Sequence, residues 1–554
     1  MERRAILAFV LMGLVLVVSQ YLLTPRPPPE GTPPSPAAEG VMPPAAPDVA
    51  PPAPPPRAGA DPAADQDRSA ATPTYAAPGG GSVRVETPLY ALTLDRRGGV
   101  VTGIVLKRFQ SYVDSMPVQL VPPGRAFLQK TIRSGEAAVD LSDVLFDAER
   151  ARLRVETGRD SLVLTGTTAS GASARQVIVA DAELYEIGYR LDAPQLAGGG
   201  ALLETHLGPA IRSNEPNAKE EQSNFAAVAR IADEVHTLKP GDVEGAPARF
   251  GGPSGWAGLK TKYFLAALLA SQTPFRSVTI SPATADTLPG LDVAVRVPFE
   301  GGSAEYELYL GPQEFGRLTR AAPGLEDVNQ YGWSWVRWMI QPFAHLIVRI
   351  LLWMHQYVPN YGVVLIVFGV LVRLLMWPLT QKSFESMQKM QALQPEMTRL
   401  RERYKNDPQR MQQEVMRLYR ERGVNPLGGC LPNLLPLPIL FALFFVFQNT
   451  IEFRGAAFAG WIQDLSRPDP YYVLPVLMGV TMFIQQKLSA TAMADNPQMK
   501  LMLYFMPVFL TFIFLNLASG LVLYYTVSNV LTFVQQLLLR RKLTPAPESE
   551  PAAK

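Results

Sequence analysis

A single arginine, Arg373, stands inside a long apolar stretch of the sequence, residues 363–377. A cation at the centre of a membrane helix costs about 2.5–3.5 kcal/mol on insertion scales, so such a group usually faces a cavity or a partner. Arg373 lies nine residues before Lys382, roughly 13 Å along a helix. Snorkelling to the inner interface is the competing interpretation, but its reach is short compared with that depth. The sequence therefore favours a water-filled groove that holds Arg373.

Apart from Lys487 and Lys500, which lie near the cytoplasmic ends of their segments, the other polar residues of the apolar segments are uncharged. They either bond across helices or line a groove for a client protein. The predicted client groove contains Arg373, Asn433, Thr511 and Asn516, and Gln448 and Gln485 are further polar positions. The apolar segments of the sequence contain no carboxylate, which argues against a proton-coupled or ion-coupled transporter.

The sequence offers little for bond chemistry or metal binding. It has one cysteine, so it can form neither an intramolecular disulfide nor a cysteine metal cluster. Its four histidines, His206, His236, His345 and His355, show no metal-ligand spacing with acids. We therefore predict no catalytic residue, no metal and no cofactor. The net charge of +2 gives no global field for nucleic acid.

The first 80 residues predict an anchor and a linker. Arg3 and Arg4 precede an apolar run of spanning length, so residues 1–24 predict a transmembrane anchor whose N-terminus is cytoplasmic. A cleaved signal peptide is the alternative, but the small-residue spacing of its cleavage site is poor here. Residues 25–80 are mostly proline, alanine and glycine and predict a disordered, extended linker.

The segment 81–326 predicts a large β-sandwich domain. Short stretches alternate apolar and polar residues, as half-buried strands do, at 82–86, 90–94, 161–165 and 305–310. Glycine-bearing turns are expected at 96–99 and 298–302. Because the segment follows an anchor with a cytoplasmic N-terminus, the domain should lie in the periplasm.

Residues 327–358 predict an amphipathic helix in the membrane interface. Arg337, Gln341, His345 and Arg349 recur every four residues and so share one helical face. The opposite face carries large apolar residues: Trp335, Trp338, Phe343, Leu346, Ile350 and Trp353. A polar stripe opposite a tryptophan-rich face is typical of interfacial helices. A tilted span inside a bundle is the alternative.

Five further apolar segments predict spans, at 359–379, 431–450, 471–488, 499–516 and 520–538, within a core of residues 359–540. Between them, residues 381–422 hold ten lysines and arginines against six acids, which places that segment in the cytoplasm. The predicted fold is an α-helical polytopic membrane protein with six transmembrane helices and a periplasmic β-sandwich. Both termini are cytoplasmic, and residues 541–554 form a disordered tail.

The cytoplasmic segment 381–422 predicts a helical hairpin. Met390, Leu393, Met397, Leu400 and Tyr404 follow the spacing of an a/d seam, and Asp407 and Pro408 can start a second, antiparallel helix. The predicted client-contacting residues are its methionines, Met387, Met390, Met397, Met411 and Met416. Alternatively, they only fill the seam between the two helices.

Several blocks of the sequence resemble the YidC/Oxa insertases. They are Asn425–Pro432, Asp469–Pro475, Gly479–Phe483 and Ser519–Tyr525, and Arg373 with the following Trp377-Pro378-Leu379-Thr380 is similar to that family's second span with its groove arginine. Gly98-Gly99 and the stretch from Gly255 to Ala267 are similar to the periplasmic domain of the Gram-negative members.

The resemblance implies a membrane protein insertase and chaperone, not an enzyme. Its hydrophilic groove would be open to cytoplasm and lipid and would accept polar parts of nascent membrane proteins, alone or beside the Sec translocon. The implied partners are these nascent proteins, the translocon, the ribosome and the phospholipid bilayer, without sequence-specific nucleic acid. Pro436 and Asn516 depart from the groove residues of relatives.

Two other functions compete with insertion. The β-sandwich resembles the carbohydrate-binding supersandwich of mutarotases, so an envelope enzyme or a ligand-binding cleft is one alternative. An enzyme needs acid and base groups that converge in a cleft, and only His206 and His236 are available in this domain. A polytopic transporter is the other, and the missing intramembrane acids argue against it.

Overall fold

The computed structural model describes residues 81–423, 437–490 and 497–543, except 245, 286–287 and 334. The predicted anchor, the proline-rich linker, the tail beyond 543 and the groove candidate Asn433 lie outside these residues. In the described part, strands fill the first half and helices the second. This order agrees with the predicted β-sandwich followed by a helical core.

Nineteen strands are described in the first half. They are β1 (Ser82–Glu86), β2 (Tyr90–Asp95), β3 (Val100–Gln110), β4 (Pro117–Gln119), β5 (Gln129–Ser134), β6 (Ala137–Asp140), β7 (Phe146–Ala148), β8 (Arg152–Arg154), β9 (Arg159–Thr167), β10 (Ser173–Asp181), β11 (Glu186–Asp192), β12 (Leu202–Leu207), β13 (Ala226–Ile231), β14 (Glu234–Leu238), β15 (Ala248–Lys260), β16 (Phe264–Ala270), β17 (Phe275–Ala285), β18 (Leu288–Pro298) and β19 (Ser303–Pro312). All four strand stretches expected from the alternation lie within them.

Two sheets enclose one apolar core. The smaller sheet has the order β4-β3-β2-β1-β8, and the larger runs β6-β5-β12-β18-β17-β15-β16-β19-β11-β10-β9-β7, with β13 and β14 attached beside β15. The pairing is antiparallel except between β1 and β8. Alternate side chains such as Val83 and Val85 point into the core, and Trp256 and Phe127 are fully buried there. This packing of alternating strands explains the sandwich.

Ten helices are described. Within or next to the β-domain lie α1 (Ala218–Asn224) and α2 (Phe315–Ala321). The remaining eight follow the β-domain: α3 (Arg337–His355), α4 (Tyr361–Ala392), α5 (Gln394–Arg403), α6 (Pro408–Glu421), α7 (Leu437–Asn449), α8 (Val473–Ala490), α9 (Pro497–Phe514) and α10 (Ser519–Leu543). Within the described part, two segments are long and apolar enough to cross a membrane, Tyr361–Pro378 and Ser519–Leu539. The six-span count therefore stays a prediction.

Helix α3 has three faces where the sequence suggested two. Its polar stripe turns toward the β-domain, because the Gln341 amide donates to Asp327 (2.7 Å) and Arg349 lies over the Phe315 ring. Its tryptophan face is open, with Trp338 78% exposed. A third, buried face packs against α7 and consists of Ile340, Ala344, Ile347, Val348, Leu351 and Met354. The two-face pattern missed this contact because aliphatic residues suit both lipid and protein surroundings.

Helices α5 and α6, which follow the first candidate span, form an antiparallel pair. The first helix of the predicted hairpin is, however, divided between the end of α4 and α5. Helix α4 continues without a break to Ala392, and a new helix begins at Gln394. Pro395 explains the break, since proline lacks an N–H and its ring clashes with the carbonyl four residues earlier. Asp407 caps α6 as expected, its carboxylate accepting the Arg410 amide at 3.0 Å.

Candidate functional site

The candidate groove is built on two helices, α4 and α10, which run parallel. The Phe368 ring lies 6.2 Å from the Tyr524 ring near the start of both helices. Further along, the Gln535 amide donates to the Thr380 hydroxyl at 2.8 Å. A Cβ atom on Gly369 would lie 3.5 Å from Val527 and 3.8 Å from Tyr524, at ordinary van der Waals distances, so Gly369 of α4 faces these two residues of α10.

Arg373 lies one turn beyond this close approach. It is twelve residues from the start of α4, about 18 Å along the helix. The side chain is half-buried and lies near Tyr524 of α10. Its Nε and one Nη are buried without a hydrogen-bond partner among the described residues. A buried guanidinium with unused donors is a group prepared to bind an acceptor such as a carboxylate or water.

A buried polar contact closes the space between α4 and α10 beyond Arg373. Gln535 is fully buried and Thr380 nearly so. The Thr380 hydroxyl also lies 3.0 Å from the carbonyls of Met376 and Trp377, to which it can donate. This pair was not predicted from the sequence. Its only signal is a threonine and a glutamine at the inner ends of two apolar segments.

Thr511 lies on α9, and Asn516 lies just after that helix. The Thr511 hydroxyl donates to the Pro507 carbonyl (2.7 Å) and faces Gly479 of α8, where an added Cβ would collide with it. Thr511 therefore serves the packing of α8 on α9. Asn516 is exposed in the turn between α9 and α10. Their contact with clients stays a prediction.

The five predicted client-contacting methionines divide by environment. Met397 is 6% exposed and its sulfur accepts the Tyr419 hydroxyl at 3.1 Å, so it belongs to the seam between α5 and α6. Arg422 pairs with Glu396 (2.7 Å) at the same end of the seam. Met411 is half-buried and Met416 is 41% exposed. The side chains of Met387 and Met390 lie outside the described part.

Large apolar side chains cover the outer surfaces of four helices. Exposed examples are Leu371, Leu374 and Leu375 on α4, Val476, Leu477, Val480 and Ile484 on α8, Tyr504, Phe505, Val508 and Phe512 on α9, and Val530, Val534, Leu537 and Leu538 on α10. Contiguous exposed apolar surface of this extent is typical of contact with lipid or with an apolar partner. Arg373 is thus a polar residue on helices whose exposed side chains are otherwise largely apolar.

The β-domain carries its own buried polar groups. The His206 ring lies 2.7 Å from the Asp292 carboxylate. Burial alone would lower the pKa of His206, but the hydrogen bond and charge of Asp292 outweigh it and raise that pKa. Lys130 donates to the Gly99 carbonyl and to Gln176, and burial lowers the pKa of Lys130 to about 7. No partner of His206 was predictable from the sequence, because Asp292 is 86 positions away along the chain.

The fold and the candidate groove define a membrane protein with an apolar helical region and a large β-domain. Two family models match the chain: "YidC periplasmic domain" at residues 82–346 and "60Kd inner membrane protein" at residues 353–546. Together they account for nearly all of the described residues.

Relatives match over the whole length. The "Membrane protein insertase YidC" of Syntrophus aciditrophicus is 33% identical, over 98% of this chain and 100% of that protein. That of Geobacter metallireducens is 34% identical, over 99% of both. A crystal structure titled as an active YidC insertase is 16% identical with a TM-score of 0.36, over 86% of this chain and 96% of the other. The chain belongs to the YidC family of inner-membrane proteins, and its β-domain is the family's periplasmic domain.

Proposed function

We propose that this chain inserts membrane proteins into the inner membrane by way of the groove between α4 and α10. The relatives named above are insertases over their full length, and this chain covers them fully. The observation that carries the proposal is Arg373, a half-buried cation with unused donors in the apolar first part of α4, Tyr361–Pro378. Insertion needs a polar partner within the membrane for client groups that would otherwise cross the hydrocarbon without one.

Arg373 is that polar partner, because its charge attracts acidic residues in the short translocated tail of a client. A unit charge pair at 4 Å is worth about 1 kcal/mol in bulk water and about 4 kcal/mol at an effective dielectric constant of 20. A partly buried cation therefore lowers the barrier for a carboxylate more than a surface cation would. The role is the lowering of a barrier to transfer, with no bond made or broken.

The exposed apolar surfaces of α8 and α9 accept the hydrophobic segment of the client while its tail is held at Arg373. Val480 and Phe512 are examples, 49% and 70% exposed. The α5–α6 hairpin lies on the cytoplasmic side in this proposal and captures clients through Met416. Nascent chains arrive from the ribosome or the Sec translocon, and six spans place both termini in the cytoplasm.

The test is a protease-protection assay with one small client made in two forms, with its tail acids kept or neutralised. We expect Arg373→Ala to slow insertion of the acidic form about tenfold or more, since 1.4 kcal/mol is a factor of ten, and Arg373→Lys to keep most of the rate. The neutral-tailed client is the matched control and should respond little. Equal rates for every variant with both clients would show that Arg373 only snorkels.

A further inference from the structure

Two exposed apolar side chains share one turn of the β-domain. Among the side chains that the structure describes in residues 81–326, the large apolar ones that are more than half exposed are Val113, Met116 and Leu145, at 59%, 59% and 56%. Val113 and Met116 belong to residues 111–116, which join β3 to β4; we call this segment the β3–β4 turn. A single exposed apolar residue is ordinary, but two on one turn form a surface that water does not favour.

The β3–β4 turn is held by its own polar contacts. The Ser111 N–H donates to the Met116 carbonyl at 2.8 Å, which closes the turn. The Arg212 guanidinium donates to the Asp114 carboxylate at 2.9 Å, so the acid of the turn is paired within the β-domain. Because these groups are paired, the turn can present Val113 and Met116 to an apolar medium without an unpaired charge beside them.

Contacts with the helical region bring the turn to the end of a candidate span. The Tyr112 hydroxyl donates to the Asp464 carboxylate (2.7 Å), and the Asp464 carbonyl accepts the Ser519 hydroxyl (3.1 Å). Ser519 is the first residue of the candidate span Ser519–Leu539, whose 21 residues rise about 30 Å, the thickness of the hydrocarbon core. Since the β-domain is the family's periplasmic domain, the turn lies beside the periplasmic end of that span.

The loop between α7 and α8, which meets the turn at Tyr112, carries residues typical of a membrane interface. Arg467 is exposed, and its guanidinium lies 5.3 Å from the Tyr112 ring. Trp461 and Tyr471 are also exposed, with their rings 6.5 Å apart. Tryptophan and tyrosine are enriched where a membrane meets water, and an arginine guanidinium binds phosphate well.

We propose that the β3–β4 turn is a lipid-contact site on the periplasmic face of the membrane. Val113 and Met116 enter the boundary between the headgroups and the acyl chains, and Arg467 binds a lipid phosphate beside them. A lipid surface suits these residues because the apolar pair and the arginine lie beside the end of a span, where lipid is the surrounding medium. The contact is separate from the groove between α4 and α10, so it does not depend on how clients are inserted.

The test is fluorescence quenching in the full-length protein, reconstituted in nanodiscs of phosphatidylethanolamine and phosphatidylglycerol. In a Cys430→Ser background, Met116→Cys or Val113→Cys is labelled with an environment-sensitive fluorophore. The nitroxide quencher is attached to the lipid, either at the headgroup or deep in the acyl chain. We expect both labels to emit at shorter wavelength than in water and to be quenched several-fold, more strongly by the headgroup nitroxide than by the deep one.

Two further labelled positions are the controls. Leu145 is as exposed as Met116 but pairs with Arg97, just before β3, and the 11 residues of β3 separate it from the turn by roughly 33 Å. Leu145→Cys should therefore emit as in water and escape both quenchers. Leu371 is exposed on α4 within the candidate span Tyr361–Pro378, so Leu371→Cys should be quenched more strongly by the deep nitroxide.

The phosphate contact is tested in the labelled Met116→Cys protein. Arg467→Gln should reduce quenching by the headgroup nitroxide, because it removes the cation that binds phosphate, whereas Arg467→Lys keeps a charge and should retain most of the quenching. Equal quenching in the native, Gln and Lys forms would overturn the role of Arg467.

Two results would overturn the proposal as a whole. The first is water-like emission at Met116→Cys and Val113→Cys, with no more quenching than at Leu145→Cys. The second is short-wavelength emission at the turn without quenching by either lipid nitroxide, because protein rather than lipid would then cover Val113 and Met116.

Discussion

Thr380 and Gln535 form a buried contact, and the two ways of removing it should differ in cost. Thr380→Val should destabilise the protein more than Gln535→Leu does. Thr380→Val leaves the Gln535 amide buried without an acceptor, and an unsatisfied buried polar group costs about 1–3 kcal/mol. Gln535→Leu leaves the Thr380 hydroxyl still able to donate to Met376 or Trp377, so only the interhelical bond is lost. Such bonds average about 0.6 kcal/mol and reach about 1.7 kcal/mol in membranes.

The double variant should therefore cost no more than Thr380→Val alone, because nothing polar is then left unpaired at this contact. The assay is equilibrium unfolding of the full-length protein in mixed micelles, with the two single variants and the double variant forming a cycle. Thr532→Val is the control. That buried hydroxyl donates within α10, to the Ser528 carbonyl (2.6 Å), so no interhelical bond is removed.

Two results would refute this reasoning. Additive costs in the double variant would mean that the two side chains act independently. A larger loss in Gln535→Leu than in Thr380→Val would mean that the amide has another important partner.

Three further predictions concern other parts of the chain. Because the folded pKa of Lys130 lies near 7 and the unfolded value near 10.5, the folded state binds fewer protons between these values, and stability should rise with pH across this window. Lys130→Met should lose that rise in thermal unfolding of the full chain; an identical pH profile would contradict the assignment. In a Cys430→Ser background, an impermeant thiol reagent applied to spheroplasts should label Glu305→Cys and spare Arg401→Cys, and the reverse pattern would invert the topology. Met416→Gln should weaken crosslinking of the hairpin to nascent clients, and an unchanged yield would leave Met416 as ordinary surface.

Patterns that depend on neighbouring residues along the chain were predictable from the sequence. Strand alternation placed β1 and β2, and the cap at Asp407 began α6 at the expected position. The continuous helix through Gln381 was missed because the change from apolar to charged composition was interpreted as a boundary between elements. An α-helix can continue through such a change in composition, because it is held by backbone hydrogen bonds between N–H and C=O groups.

Contacts between distant parts of the chain could not be predicted in this way. Tyr112 and Asp464 are 352 positions apart, and nothing local marks either as a partner. Arg373 was identified because a charge in an apolar run is a local signal, whereas its neighbour Tyr524 depends on how α4 packs on α10. The predicted grouping of Arg373 with Thr511 in one groove stays a prediction; in the structure Thr511 lies near the end of α9, at its contact with α8.

If Arg373 attracts the translocated acids of a client by charge, reversing that charge should reverse its preference between client tails. The measurement is the insertion rate of one client with either an acidic or a lysine-bearing tail, by native protein and by Arg373→Glu. We expect Arg373→Glu to insert the acidic tail more slowly, and the lysine tail faster, than native protein does. If Arg373→Glu slows both tails equally, or leaves both unchanged, charge attraction at Arg373 is not how this protein lowers the barrier.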